Sequence, residues 1–304
     1  MTSPHKEAFA QLHTAQDFWR YAATQMYQAD LFFGHGTTNA WDEAGALVMQ
    51  ALSLPPEHSA HIANCRLTES EKARVLDWLE KRVTQRLPLP YISGKAYFCG
   101  LEFFVNERVL IPRSPIAELI QKGFQPWLGE REVNRVLDLC CGSACIAIAC
   151  AYAAPHLEIV ASDISPDALA VAARNVEKHH LQTRVNLLQS NCLRDLSGEK
   201  FDLIVCNPPY VDAHDMATLP REYHHEPALA LASGDDGLDF VRELLNTAAD
   251  HLNPGGLLFC EVGNSMQHMF EQYPNAPFTW IDFEHGDDGV FLISREELLA
   301  YISG

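Results

Sequence analysis

Asn207-Pro208-Pro209-Tyr210 places three kinds of chemistry within four residues. Asn207 carries a side-chain amide, Pro208 contributes a carbonyl whose direction Pro209 restricts, and Tyr210 brings an aromatic plane. Together they can hold a planar NH2 group: two oxygens each take one of its protons while the ring packs on its face. The cargo suited to such a clamp is an amide or an exocyclic amine, presented to an electrophile. The clamp directly follows the run Phe201-Asp202-Leu203-Ile204-Val205-Cys206, which reads as a buried strand ended by the Pro-Pro breaker. In an open α/β sheet, ligands bind beyond the carboxyl ends of the strands.

The site for the electrophile lies upstream. Arg135-Val136-Leu137-Asp138-Leu139 reads as a strand, and Cys140-Cys141-Gly142-Ser143-Ala144 as a small-residue turn before a helical run. Small side chains there let a cofactor approach the backbone and the helix amino terminus, which makes Asp138, Cys140, Gly142 and Ser143 candidate contacts. Glu158-Ile159-Val160-Ala161-Ser162 ends in Asp163, a carboxylate placed to accept from ribose hydroxyls. A third run, 185–190, ends at Asn191, suited to an adenine edge, and Asn207 completes the set. Each has a plainer alternative: Asp163 a helix cap, because Ser165-Pro166 opens the next helix, and Asn191 a loop residue bonding its own backbone. A glycine turn alone is a weak signal; four strand ends in register, closed by the Asn-Pro-Pro-Tyr loop, are a specific one.

On these residues the chain resembles the class I S-adenosylmethionine-dependent methyltransferases of the protein-glutamine (N5) branch. That family carries Asn-Pro-Pro-Tyr followed by a Glu-Pro element and a Gly-x-x-Gly-Leu stretch, here Glu226-Pro227 and Gly234-Asp235-Asp236-Gly237-Leu238. Release-factor glutamine methyltransferases usually read Ile-Pro-Arg-Pro-Glu-Thr-Glu before the cofactor domain, whereas this chain reads Ile111-Pro112-Arg113-Ser114-Pro115-Ile116-Ala117-Glu118. With Tyr223-His224-His225-Glu226-Pro227-Ala228-Leu229, this is similar to the sister group that modifies large-subunit ribosomal protein L-three. The similarity runs over nearly the whole chain. It implies an α/β, Rossmann-like fold with a mostly parallel seven-stranded sheet and an N-terminal helical domain. It further implies S-adenosylmethionine as cofactor, S-adenosylhomocysteine as product, and methyl transfer to a glutamine side-chain amide. Asn207, Pro208 and Tyr210 are then the catalytic set, and Asn207, Pro208, Pro209 and Tyr210 the substrate contacts. Departures are Cys140 and Ala144 where the family turn has glycine, and Asn191 where an aspartate is common. A β-carbon at 140 and 144 narrows the cofactor's room and resists positive φ.

The 304 residues carry a net charge of −18, unevenly spread. Residues 1–90 hold 8 Lys and Arg against 10 Asp and Glu, leaving −16 on residues 91–304. Such a surface repels phosphate backbones and attracts basic proteins, which disfavours direct DNA binding and suits a basic ribosomal-protein partner. Nine cysteines occur with no Cys-x-x-Cys pair, and the cluster at 140, 141, 145 and 150 has no zinc spacing. No metal is expected, and the cysteines read as small apolar residues of a reducing cytosol. With no ~20-residue apolar stretch and no signal pattern, the reading is a cytoplasmic protein with no membrane partner.

The elements that position the site divide as 1–90, a helical substrate-recognition domain; 91–115, a hairpin linker; and 116–304, the methyltransferase domain. Residues 5–29 show helical spacing, Asn39 can cap a second helix, and Thr68-Glu69-Ser70-Glu71 is a capping-box pattern opening a third. Lys72, Arg74, Lys81, Arg82 and Arg86 on that third helix read as a solvated face, or alternatively a dock for a ribosomal protein or RNA near it. Strands are expected near 135–140, 158–163, 185–190, 201–206, 257–263, 278–285 and 290–294. Asn253-Pro254-Gly255-Gly256 reads as a turn before the fifth, and Gly286-Asp287-Asp288-Gly289 as the tip of a closing hairpin. Arg113 reads equally as a ligand contact or a salt bridge. His224-His225 is set aside as a metal pair, since adjacent side chains of an extended chain diverge, and Glu226-Pro227 is read as a brace. Rival functions are glutamine methylation of release factors, adenine-N6 methylation, and a catalytically silent cofactor-binding module.

Overall fold

The computed structural model describes residues 3–284 and 289–303. The chain forms two compact units: residues up to Ala96 together with Pro220–His225, and Tyr97–Leu219 together with Glu226–Gly304. No helix among the described residues is long and apolar enough to cross a membrane.

The first unit is helical. The periodic stretch expected as one helix over 5–29 is two, Ser3–Gln11 and Ala15–Gln28. The break comes from Thr14, whose hydroxyl accepts from Asp17 N while the Asp17 carboxylate accepts from Thr14 N, a capping box inside an otherwise continuous pattern. Asn39 caps Ala40–Ala51 and Thr68 caps Glu69–Thr84, as their sequences indicate. Phe18, Met26, Leu47, Val75, Leu76 and Leu79 pack the core between them.

This unit corrects the reading of the third helix. Lys72 and Arg82 are buried, so the five basic residues do not make one solvated face. Lys72 Nζ donates to Phe9 O at 3.3 Å. Arg82 spends its planar fork on three acceptors: Glu43 Oε1 at 2.5 Å, Phe32 O at 2.8 Å and Glu222 Oε1 at 3.3 Å. Glu222, from Pro220–His225, also accepts from Phe32 N and Arg86. Both carboxylates are as buried as the guanidinium. An ion left alone in such a place costs about 3–5 kcal/mol, so charge pairing holds this segment in the unit, together with Tyr223, whose ring packs against Phe32 and His35.

The second unit is built on a seven-stranded sheet. In chain order its strands are β1 (Arg135–Leu139), β2 (Glu158–Asp163), β3 (Val185–Gln189), β4 (Phe201–Cys206), β5 (Leu252–Glu261), β6 (Thr279–Trp280) and β7 (Val290–Ser294). They lie in the order β3-β2-β1-β4-β5-β7-β6, parallel from β3 to β5 and antiparallel where β7 meets β5 and β6. Alternate residues feed two separate cores. Val136, Ile159, Leu203 and Phe259 face the apolar helix Cys145–Ala153. Leu137, Val160, Ile204 and Leu258 face Asp239–Thr247. Burial on both faces is why these strands read as unbroken apolar runs.

Two strand boundaries differ from expectation. The Asn253-Pro254-Gly255-Gly256 turn lies inside β5 as a bulge: Phe201 pairs with Leu252, then Leu203 with Leu257. Asn253 Nδ2 donates to Asp202 Oδ1 at 2.7 Å and holds the bulge in place. Of the strand expected over 278–285, the described residues form Thr279–Trp280; Ile281 N still donates to Val290 O, and the Glu284 N–H goes to the Glu118 carboxylate. The expected hairpin tip, Gly286-Asp287-Asp288-Gly289, lies outside the described residues but for Gly289. Before the sheet, Lys95–Phe98 and Leu101–Phe104 form a two-stranded sheet across Cys99-Gly100, both at positive φ.

Candidate active site

The strand order reverses between β1 and β4, the switch point at which open α/β sheets bind ligands. Leu139 pairs with Cys206, so the turn at 140–144 and the loop beginning at Asn207 leave from neighbouring strand ends. A cavity of about 240 Å³ opens beside them. Its wall includes Cys140, Gly142, Ser143, Asp163, Asn191 and Asn207, together with Pro209. Asp138, Pro208 and Tyr210 are not among the residues that line it.

The turn is held from three sides. Gly142 N donates to Asp163 Oδ2 at 2.9 Å, Cys141 N to Ser162 O at 2.9 Å, and Asn175 Nδ2 to Ser143 O at 3.0 Å. Asn175 is fully buried and also exchanges two hydrogen bonds with the Phe104 backbone. Sequence reasoning passed over it; its signal was a polar residue on the apolar face of Pro166–Lys178. Cys140, Gly142 and Ala144 all have left-handed backbones, at φ 62°, 52° and 61°. The two departures from glycine thus carry the strain that a β-carbon brings to that region. At Gly142 nothing lies within 4 Å of where a β-carbon would stand, so its open side faces the cavity.

Asp138 is 1% exposed and its Oδ2 accepts from Ala147 N at 2.9 Å, tying the strand end to the following helix. Its Oδ1 is buried with no hydrogen-bond partner among the described residues, as is Ser162 Oγ on the opposite face of the sheet. Burial pushes the Asp138 carboxyl up to about 7; the Ala147 N–H opposes this and the Asp163 carboxylate adds to it. Burial likewise raises Asp163, against the N–H groups of Ser165 and Gly142. Asp163 Oδ1 accepts from Ser165 N at 2.9 Å, yet it is Ser165 that caps Pro166–Lys178. Asn191 is exposed, and its backbone N–H goes to Asp195. Cys141 and Cys145 line the cavity, and burial pushes both thiols up, so they stay protonated small residues.

The loop after β4 is braced behind its cavity face. Tyr210 O accepts from Ser265 Oγ at 2.7 Å, and the Tyr210 hydroxyl donates to Glu261 Oε1 at 3.0 Å. Val211 N donates to Leu231 O at 2.7 Å and Val211 O accepts from Ser233 N at 3.0 Å. The excursion between them therefore starts and ends at one place and returns Pro227, Leu229 and Ala230 to the cavity. Leu229 is 60% exposed there, an apolar side chain on the rim. Arg113 resolves as an ion pair: its guanidinium holds the buried Glu226 carboxylate with two bonds, 2.5 and 2.6 Å, and Glu226 also accepts from Ile111 N at 3.0 Å. Glu226 thus braces the segment before the sheet, and Arg108, Pro112, Arg113 and Ser114 of that segment line the cavity. His225 Nε2 lies 2.9 Å from Gln85 O in the helical unit.

The strain at 144 gives a prediction of sign. A left-handed backbone costs an L-residue roughly 1–2 kcal/mol, and glycine gives back about 0.4–1 kcal/mol through the unfolded chain. Ala144→Gly should therefore leave thermal stability unchanged or raised. Ala149→Gly, in the helix that follows, should lower it by about 0.5–1 kcal/mol. Equal losses for both would contradict a strained turn.

The profile of the Methyltransferase small domain family matches residues 124–234. The ribosomal protein uL3 glutamine methyltransferase of Francisella tularensis is 46% identical over 291 residues, 95% of this chain and 93% of that protein. Its counterpart in Xanthomonas campestris is 47% identical over 96% of this chain and 94% of its own. Among solved structures, the hMettl16 catalytic domain in complex with MAT2A 3′UTR hairpin 6 shares the fold at 17% identity, with a TM-score of 0.51 over 74% of this chain and 81% of its own. The resemblance read from the sequence motifs is thereby confirmed along almost the full length. An α/β methyltransferase sheet with the 140–144 turn and the Asn207 loop on adjacent strand ends, matched over almost its whole length at this identity, makes the chain a member of the ribosomal protein uL3 glutamine methyltransferase family.

Proposed function

We propose that this enzyme methylates the side-chain amide nitrogen of a glutamine in ribosomal protein uL3, with S-adenosylmethionine as donor. The observation that carries the reading is the Leu139–Cys206 register, which sets the Asn207 loop beside the small-residue turn and so supports reading one as the amide holder and the other as the cofactor turn. The residues fit that cofactor. Asp138 Oδ1, two residues before the turn, is a buried oxygen with no hydrogen-bond partner among the described residues and would suit an ammonium group, and Gly142 leaves open space. Asp163 and Asn191 would meet ribose hydroxyls and an adenine edge. When bound, S-adenosylmethionine supplies a methyl group already activated by its sulfonium.

What remains for the protein is positioning and polarisation. An amide nitrogen is a poor nucleophile because its lone pair is delocalised into the carbonyl. In our reading the Asn207 side-chain oxygen and the Pro208 carbonyl each accept one amide proton. Those bonds strengthen as positive charge builds on nitrogen, which favours the transition state over the ground state. Alignment of reactants supplies up to ~7–11 kcal/mol of barrier reduction. The methylated amide cation is strongly acidic and gives its proton to water, so no general base is assigned. The net charge of −16 on residues 91–304 supports a basic protein partner over a nucleic acid.

The test is transfer of labelled methyl from S-adenosylmethionine to uL3, a release factor and duplex DNA, assayed separately. Label on a glutamine of uL3 alone is expected; label on the release factor would move the substrate, and label on adenine would overturn the reading. Asn207→Ala should lower the rate ~100–1000-fold at saturating S-adenosylmethionine, as loss of a transition-state hydrogen bond does. Retained activity in that variant would refute the clamp.

Affinity for S-adenosylhomocysteine should also depend on pH. Burial holds Asp138 protonated below about 7 in the unliganded protein, whereas an ammonium partner needs it ionised. Affinity should therefore fall as pH drops below 7, approaching tenfold per unit for one linked proton. Calorimetric titration between pH 5.5 and 8 should show that slope in the wild type and lose it in Asp138→Asn. A flat wild-type profile would remove Asp138 from the ligand set.

A further inference from the structure

β5 follows its apolar run 257–260 with a carboxylate, Glu261, that is only 5% exposed. A charge that far from water needs donors, and here two hydroxyls supply them. Glu261 Oε1 accepts from the Tyr210 hydroxyl at 3.0 Å and Oε2 accepts from the Ser114 hydroxyl at 2.5 Å. Ser114 Oγ also accepts from Ile116 N at 3.2 Å, so its proton is directed to the carboxylate. Cys260 pairs with Cys206, which sets Glu261 beside the start of the Asn207 loop on the neighbouring strand.

The same loop is closed in on its other sides. A β-carbon on Gly263 would stand 2.5 Å from Tyr210 Cε2, so the ring packs directly against that backbone. A β-carbon on Gly237 would stand 2.2 Å from Tyr210 O, the carbonyl that Ser265 holds. The ring thus has contacts that limit its position, and the hydroxyl–carboxylate bond sets its rotation and reach. Ser114 belongs to the segment before the sheet, which also lines the cavity.

We infer that Glu261 is a positioning residue for methyl transfer: its carboxylate ties the Tyr210 end of the acceptor loop to Ser114 and so fixes where the loop holds the acceptor amide. Glu261 touches neither cofactor nor acceptor; it acts through Tyr210 and Ser114. The inference rests on the reading of 207–210 as the acceptor loop. It differs from a merely structural role in what it predicts for turnover: a misplacement of about 1 Å at a reacting pair costs up to ~100-fold in rate, while cofactor binding, which Glu261 does not touch, is unchanged.

The experiment compares wild type, Glu261→Ala, Glu261→Gln and Tyr210→Phe in steady-state methyl transfer, using whichever acceptor of the panel the wild type labels. That choice separates the two readings, because a wrong acceptor class shows in the wild type before any variant is made. Glu261→Ala should lower kcat ~10–100-fold with KM for S-adenosylmethionine within about twofold. Glu261→Gln, whose amide still bonds one hydroxyl as acceptor and the other as donor, should recover most of that loss. Tyr210→Phe cuts the same link without emptying a buried site, so it tests the inference even where Glu261→Ala does not fold. It should lose kcat to the same extent, and the Tyr210→Phe/Glu261→Ala double variant should be no slower than Glu261→Ala. A folded Glu261→Ala or a Tyr210→Phe enzyme with wild-type kcat would overturn the inference, as would losses that multiply fully in the double variant.

Discussion

The register between β1 and β4 is the constraint on which the rest depends. Leu139 lies opposite Cys206, so whatever follows those residues must emerge side by side at the carboxyl edge of the sheet. One exit is a turn of small residues with an open side at Gly142; the other is the Asn-Pro-Pro-Tyr loop. A slip of one residue would send every side chain of β4 to the wrong core and turn the loop away from the turn. Two filled cores, one on each face, hold the register in place.

Buried polar groups then refine what the register places. Asn175 satisfies three backbone groups and fixes the turn against Phe104; Glu226 fixes 111–113; Glu261 collects Tyr210 and Ser114. Each is expensive to bury alone and stable only with its partners. That cost gives them directional value, because a satisfied carboxylate tolerates little displacement of its donors. The cysteines have the opposite character. Around the turn Cys141, Cys145 and Cys206 are buried, protonated and small, and Cys140 is half-buried; they fill space at the cavity without competing for its hydrogen bonds.

The strand ends were legible in the sequence because each is an apolar run closed by a breaker or a polar residue, and both periodicity and punctuation are local. The caps at Asn39 and Thr68 were legible for the same reason. Thr14 was not, since its capping box sits inside a run whose apolar spacing continues on both sides. Arg82 looked like one of five surface cations; its burial follows from Glu43 and from Glu222, 140 residues away, and no local pattern carries that pairing. Glu261 had a faint signal, an acidic residue directly following four apolar ones at a strand end. Glu226 was read as a brace from its motif, but its partner Arg113 was left open between ligand and ion pair until the geometry joined them. Of the proposed cofactor contacts, Cys140, Gly142, Ser143, Asp163, Asn191 and Asn207 share one cavity wall, whereas Asp138 is buried and not part of it.

The central claim is that two oxygen acceptors in the loop after β4 hold the two protons of one acceptor amide. The most direct measurement is competition by a uL3 substrate whose target glutamine is replaced by glutamate. Its carboxylate has no proton to give and would face the Asn207 and Pro208 oxygens in repulsion. The account predicts inhibition at least ~100-fold weaker than the affinity of the glutamine substrate, as sites built to pair a specific donor reject analogues lacking it. Equal affinity for the glutamate and glutamine forms would contradict it, leaving the fold and the family while removing the clamp.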